Sequence, residues 1–367
     1  MTSLNNTAGK GHLTVLARAL GAAFIGLLAI AVPCVSSAAT ATSTANGIWM
    51  SSAEIQKLPM TGKAWQNVKS AADGWLGSAN VSDQDSKHDA NTLAAALVYA
   101  RTGNDAYRTK AADAIMAAIG TEAHGRTLAL ARNLVSYVIA ADLINLGNLD
   151  AAKDKAFRTW LSTVRYKTLD GKTLISTHEV RPNNWGTHAG ASRIAVDMYL
   201  GDTADLERAA KVFKGWLGDR TAYSGFKYDD LSWQINAKTP VGINPIGSMK
   251  SGHSIDGALP DDMRRGCSFK WKPCSTGYAW EAMQGAVVQA QLLSRAGYDS
   301  WHWSDNAMFR ATMFLYKLNE EVGGWWATGD DKWQPYLIDK AYGANFPLSA
   351  PGSAGKNMGW TDWTHGS

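Results

Sequence analysis

"NTLAAALVYARTGNDAYRTKAADAIMAAIG", residues 91–120, decides the fold class. Apolar residues recur at spacings of three and four on both sides of Gly103-Asn104-Asp105. A glycine followed by Asn-Asp is the kind of stop and restart that ends one helix and caps the next. The stretch therefore reads as a helical hairpin.

The same pattern extends outward along the chain. "HGRTLALARNLVSYVIAADLINLG" (124–147) predicts a long helix, and "DAAKDKAFRTWLSTV" (150–164) its partner. Residues 189–202 and 203–220 form a third pair, and residues 277–297 and 303–324 a fourth. Between these last pairs lies an irregular stretch, 221–276, rich in Gly, Pro, Ser and aromatic residues; the tail after Trp325 reads the same way. Loops of this length inside a compact helical protein are usually functional. No repeat of fixed period and consensus is visible, which argues against the common solenoids. The expected architecture is all-α: an incomplete α/α toroid, with long loops over one end lining a ligand cleft.

The first residues suggest export. Lys10, His12 and Arg18 make a basic start, residues 19–33 are an apolar run, and small residues follow as far as Ala38 and Ala39. That order is a secretory signal, and the run is too short for a transmembrane span. Residues 1–39 are thus expected to be a signal peptide and 40–367 a single domain, secreted or periplasmic and free of the membrane after cleavage. Cys34 raises a lipoprotein reading, which Pro33 directly before it fits badly.

Two cysteines remain, Cys267 and Cys274, and an even pair in an exported chain reads as a disulfide. A metal site would need a second pair of ligands at suitable spacing, so no metal and no cofactor are expected. The formal net charge of +4 is too mild for a nucleic-acid partner and compatible with an anionic ligand in a local basic cleft. Sixteen tryptophans and twelve tyrosines favour a carbohydrate protein, because aromatic faces stack on sugar rings.

Two polar stretches at helix starts carry the chemistry. The first is "RPNNWGTHAG" (181–190). Taken alone, Asn184 could be a helix cap and His188 a satisfied core histidine. The second is "GHSIDGALPDDMRRGCSFKWKPCSTGYAWEAMQGAVVQAQLL" (252–293), a Gly-rich lead-in and an Arg pair before a Tyr that opens an apolar helix.

Together these stretches resemble the alginate lyase family of polysaccharide lyases, which are all-α toroids. The first family motif, N-N-H-x-x-W, precedes a helix. The second, D-G-x-L-P-x-E-L-x-R-G, is followed closely by a Tyr opening another. Here Asn183-Asn184, Asp256-Gly257-Ala258-Leu259-Pro260, Arg265-Gly266 and Tyr278 stand in that order. Trp185 occupies the family's histidine position, and His188 its tryptophan position. The two are nearly one helical turn apart, so His188 is expected to face the same cleft and take over the histidine's role. The gap from Arg265 to Tyr278 is longer than in the family and contains both cysteines, as if a tied loop had been inserted.

The resemblance implies β-elimination on a uronate polymer, without metal or cofactor. Removing the proton beside an ionised carboxylate requires that carboxylate to be neutralised first. Asn184 and Arg265 are the expected donors. Tyr278 is expected as proton donor and His188 or Tyr278 as base; a cation beside a tyrosine favours its phenolate. Arg181, Asn183, Trp185 and His253 are the expected substrate-binding residues. The expected partner is an anionic polysaccharide, with alginate and its mannuronate blocks first and poly-glucuronate second, and the protein is expected as a monomer.

Rival readings are an α/α-toroid glycoside hydrolase, which would use carboxylate pairs such as Asp229-Asp230 and Asp261-Asp262, or a non-catalytic carbohydrate-binding protein. Lys87, His88, Arg126, Arg132, Asn133 and Tyr137 are weaker cleft candidates. Asp89 reads as a cap, and "WTDWTH" near the end has no identified partner.

Overall fold

The computed structural model describes residues 47–351 and 354–366. The expected signal peptide, with Cys34, lies outside these residues. The chain begins with α1 (Ser52–Ile55) and α2 (Gly62–Asp73), followed by the hairpin of α3 (His88–Thr102) and α4 (Asp105–Ala118). Gly103 ends α3 at φ +71, a left-handed turn that costs glycine nothing. The Asn104 side chain then caps α4 by accepting the Ala106 amide at 3.0 Å.

Next come α5 (Thr127–Leu143), α6 (Leu146–Leu149) and α7 (Ala151–Val164), then α8 (Leu174–Val180), α9 (Asn184–Leu200) and α10 (Thr203–Trp216). The long stretch expected to be irregular holds a small hairpin, β1 (Met249–Lys250) and β2 (His253–Ser254), and the single turn α11 (Pro260–Met263). After it run α12 (Tyr278–Arg295) and α13 (Trp303–Val322). Ser304, Asp305 and Asn306 in α13 have left-handed backbones, so its right-handed part begins at Ala307.

The tail after Trp325 corrects the sequence reading: it is not irregular throughout but contains α14 (Gln334–Tyr342) and α15 (Thr361–Thr364). Pro335 fits in the first turn of α14, where the amide has no intrahelical partner.

Burial separates two kinds of helix. α2 and α7 bury one stripe each, Trp65, Val68 and Ala72 in the first and Phe157, Trp160, Leu161 and Val164 in the second. In contrast, α5 is buried continuously from Thr127 to Ala141, and α9 on almost every side. These are inner helices. α3 packs on α5, α5 on α9, and α9 on α12, while α2 and α4 lie against α3 and α10 against α9. This all-α, two-layer arrangement is the one hairpins of an α/α toroid produce.

The inner helices α5, α9 and α12 run in the same direction. Arg126 and Ala131 of the α5 strip meet Trp185 and Ser192 of α9. Asn184 meets Glu281, and Thr187 accepts from Gln289. Residue numbers rise together across both interfaces, so the helix starts share one end. At Gly285 the backbones of α12 and α9 touch: a β-carbon there would sit 2.2 Å from the Thr187 carbonyl carbon.

Loop and tail close over this frame. Asn244 holds residues 233–258 together, donating to the Trp233 carbonyl at 2.9 Å and accepting the Ile235 amide at 3.3 Å. Cys267 and Cys274 form the expected disulfide. The indole of Trp360 donates to the Ala90 carbonyl at 2.7 Å and that of Trp363 to the Pro59 carbonyl at 2.8 Å. Trp363 of "WTDWTH" also packs on Trp65 of α2, with ring centres 5.2 Å apart. No helix among the described residues is long and apolar enough to cross a membrane.

Candidate active site

The start of α9 is held by the loop that carries the second motif. Asn183 is the cap residue: its side chain accepts the Trp185 amide at 3.3 Å and donates to Asp261 at 2.9 Å. Asn184 donates its backbone N–H to Asp262 at 3.2 Å. Both aspartates are buried. Burial, followed by the neighbouring Asp261 charge, pushes the Asp262 carboxyl well above the usual range. Arg264 pairs with Asp261 at 2.9 Å and with exposed Asp229 at 3.1 Å, and Asp230 accepts the Ser268 hydroxyl at 2.7 Å. These four carboxyls fasten loops to one another and to α9.

The Asn184 amide reaches across to α12, donating to Glu281 at 2.8 Å. The same Glu281 oxygen accepts from Arg132 of α5 at 2.7 Å. Tyr278, first residue of α12, lies one turn before Glu281 on the same helix face. Its ring carries the Arg265 guanidinium, with the central carbon 3.7 Å from the ring centre. Arg265 thus sits on Tyr278, and Tyr278 opens the helix whose Glu281 holds Asn184. Both Arg265 and Tyr278 are half-buried, and Asn184 is almost fully enclosed.

His188 is also enclosed, and its ring has no exposed surface. Neither ring nitrogen makes a hydrogen bond of good geometry, although the Asn357 side chain lies close enough to favour its charged form slightly. Burial, then the Arg132 charge, holds the imidazole well below its usual pKa and keeps it neutral. The one-turn argument put this ring on the cleft face. The structure encloses the ring, with the Arg132 charge and the Asn357 side chain close to it. Asn184 Oδ1, Gln284 Oε1 and Asn357 Oδ1 are likewise buried without protein partners.

Residues 56–227 match the family model for alginate lyase. That segment, a little under half of the chain, is of the alginate lyase family. The protein is therefore a polysaccharide lyase, and its substrate a polysaccharide. No curated protein and no solved structure matches the chain. The matched residues include the start of α9 and end before the segment carrying Arg265 and Tyr278.

The remaining expected site residues of this lyase fall into separate places. Trp185 is half-buried beside two guanidiniums, Arg126 at 4.8 Å and Arg181 at 5.6 Å from its ring centre. His253 stacks on Trp271 of the disulfide loop, 4.4 Å apart and nearly parallel. That pair lines a groove of about 510 Å³ shared with Phe309, Met313 and Lys317. Of the weaker candidates, Asn133 donates to the Asp83 carbonyl at 2.8 Å, and Tyr137 bonds His88 at 2.6 Å. Asp89 does not cap α3; it is buried, and burial pushes its carboxyl up to about 7. Lys87 bonds Asp330 at 3.1 Å.

Two residues near the site went unread in the sequence. Glu281 could have been found from its position three after Tyr278, which shares a helix face. Asp331 accepts from Gln284 at 2.7 Å and Gln334 at 3.0 Å, and burial pushes its carboxyl up to about 7. No motif marks it.

Proposed function

We propose that the protein is an exported lyase that breaks a β-1,4-linked uronate polymer by β-elimination. Alginate, in particular its mannuronate blocks, is the first-choice substrate and poly-glucuronate the second. The observation that carries this reading is the Arg265 guanidinium over the Tyr278 ring, one helix turn from the Glu281 that grips Asn184. A phenol, a fixed cation and an amide donor are the groups that the reaction needs.

In this reading Arg265 and the second amide hydrogen of Asn184 meet the substrate carboxylate. That lowers the cost of the charge that develops when the C5 proton leaves. One preorganised donor of this kind contributes about 3–4 kcal/mol to the transition state. Tyr278 takes the C5 proton and returns a proton to the departing 4-oxygen. Its half-open position favours it over enclosed His188 for both transfers. His188, enclosed near Asn357 and Arg132, is the alternative base. Arg181 and Trp185 border the substrate, Asn183 fixes the start of α9, and His253 marks the far edge of the disulfide loop. Residues 1–39 act as signal peptide and 40–367 as the lyase domain, a monomer. The Cys267–Cys274 bond suits an oxidising compartment outside the cytoplasm.

The test is the ultraviolet absorbance of new C4–C5 double bonds. Mannuronate-rich alginate, guluronate-rich alginate and poly-glucuronate are each given to the protein and to Tyr278→Phe. A rise on one polymer, lost in the variant, supports the reading and names the substrate. A rise that persists undiminished in Tyr278→Phe removes Tyr278 from the chemistry. Silence on all three rules out these uronates.

A further inference from the structure

Most arginines among the described residues are spoken for. Arg132, Arg158, Arg165, Arg193, Arg208, Arg264, Arg295 and Arg310 pair with carboxylates. Arg101, Arg108 and Arg220 bind backbone carbonyls. Arg126, Arg181 and Arg265 have neither. Arg265 covers Tyr278, while Arg126 and Arg181 both lie over Trp185. The single polar bond of Arg126 is a long one, 3.4 Å to Gln84.

Arg126 is exposed and Arg181 half-buried, so two solvated guanidiniums share one indole with no carboxylate partner among the described residues, and both are open to an incoming anion. Stacking uses the flat face of a guanidinium and leaves its N–H rim pointing outward, with little freedom left to lose. That rim matches a carboxylate in a two-point grip. The place is also telling. Trp185 directly follows Asn184, and Arg126 begins the helix whose Arg132 supports Glu281. Gathered positive charge without internal neutralisation raises the local potential exactly where a polyanion would have to pass — beside the proposed cleavage point.

We propose that Arg126 and Arg181, held over Trp185, form a second carboxylate subsite that grips a uronate neighbouring the one being cleaved. The identity of the ligand rests on the proposed uronate substrate. The subsite makes the enzyme a reader of consecutive uronates: a polymer whose adjacent carboxyls are esterified loses this grip even where the scissile residue is intact. Trp185, the departure from the family motif, serves here as the post on which the two arginines are mounted.

The test uses Arg126→Gln, Arg181→Gln and the double variant, assayed on the preferred uronate polymer and on the same polymer partly methyl-esterified. Each single change is expected to raise KM about tenfold, with a smaller fall in kcat, and to narrow the preference for the unesterified polymer. Arg126→Lys, which keeps the charge but not the fork, should fall between. Titration of the polymer into Tyr278→Phe protein, with and without Arg126→Gln, reads binding without turnover and should show Kd about tenfold weaker. This arm stands even if no double bonds form. Unchanged KM, Kd and ester preference in a double variant that melts like the parent would overturn the subsite. So would a loss confined to kcat.

Discussion

The central carbon of the Arg265 guanidinium lies 3.7 Å from the centre of the Tyr278 ring. The cation covers the ring's face and leaves the hydroxyl at its edge. Tyr278→Phe keeps that stacked pair and removes only the oxygen. It should leave folding and polymer binding intact while lowering kcat by about 10²–10⁴. Arg265→Lys keeps the charge but loses the planar stack and fork, and should lower kcat by about tenfold or more. Initial rates of absorbance, beside a binding titration, check both.

The Arg132 side chain is 4 % exposed, and its partner Glu281 32 %. Glu281→Gln would leave an enclosed guanidinium without its counter-ion and weaken the hold on Asn184. Because Glu281 is partly open to water, the cost should be near the lower end for a broken buried pair, about 3 kcal/mol. Urea unfolding measures it; a midpoint equal to the parent's would show that the pair contributes no stability.

Acid should cost this protein stability through its buried histidines. His188 and His178 are held well below the ordinary value of 6.5, chiefly by burial. Unfolded chains take up these protons below pH 6.5 while the folded protein does not. The contribution is therefore complete above pH 6.5 and is lost as pH falls beneath it, by about 1.4 kcal/mol per pH unit for each histidine. Asp89 and Asp331, pushed up to about 7, work the other way: their contribution is full below 3.8 and fades as pH rises towards 7. The clean readout is a difference. The stability gap between parent and His188→Gln should shift in the variant's favour as pH drops from about 7 to about 5. A constant gap across that range would mean that His188 does not titrate on unfolding.

At Gly285 even a methyl group has nowhere to go, since it would meet the Thr187 carbonyl carbon at 2.2 Å. Gly285→Ala should force α9 and α12 apart and cost about 2–3 kcal/mol. Because Asn184 and Tyr278 ride on these two helices, activity should fall further than stability alone explains. Calorimetry and the absorbance assay together would show this; parental values in both would mean that the helices can separate without harm.

The features that could be read from the sequence are those fixed locally. Gly103 and Asn104 punctuate the first hairpin by their own conformational preferences, so the helical repeat was plain. α14 was missed because it is short, carries Pro335 in its first turn, and owes its helix to the burial of Leu337 and Ile338 rather than to pattern. The enclosure of His188 depends on partners far along the chain, among them Arg132 and Asn357. Glu281 gains meaning only through Asn184 and Arg132, 97 and 149 residues distant. The order of Asn184, Arg265 and Tyr278 along the chain was visible, but the glutamate that joins Asn184 to the helix opened by Tyr278 was not.

The bonds from Trp360 to Ala90 and from Trp363 to Pro59 span 270 and 304 residues. During synthesis, α2 and α3 emerge long before the indoles that complete their packing exist. Contacts of such separation form late and slow the closing of a fold. The first helices therefore stay pliable until almost the whole polypeptide is made, and they lock only when the tail arrives.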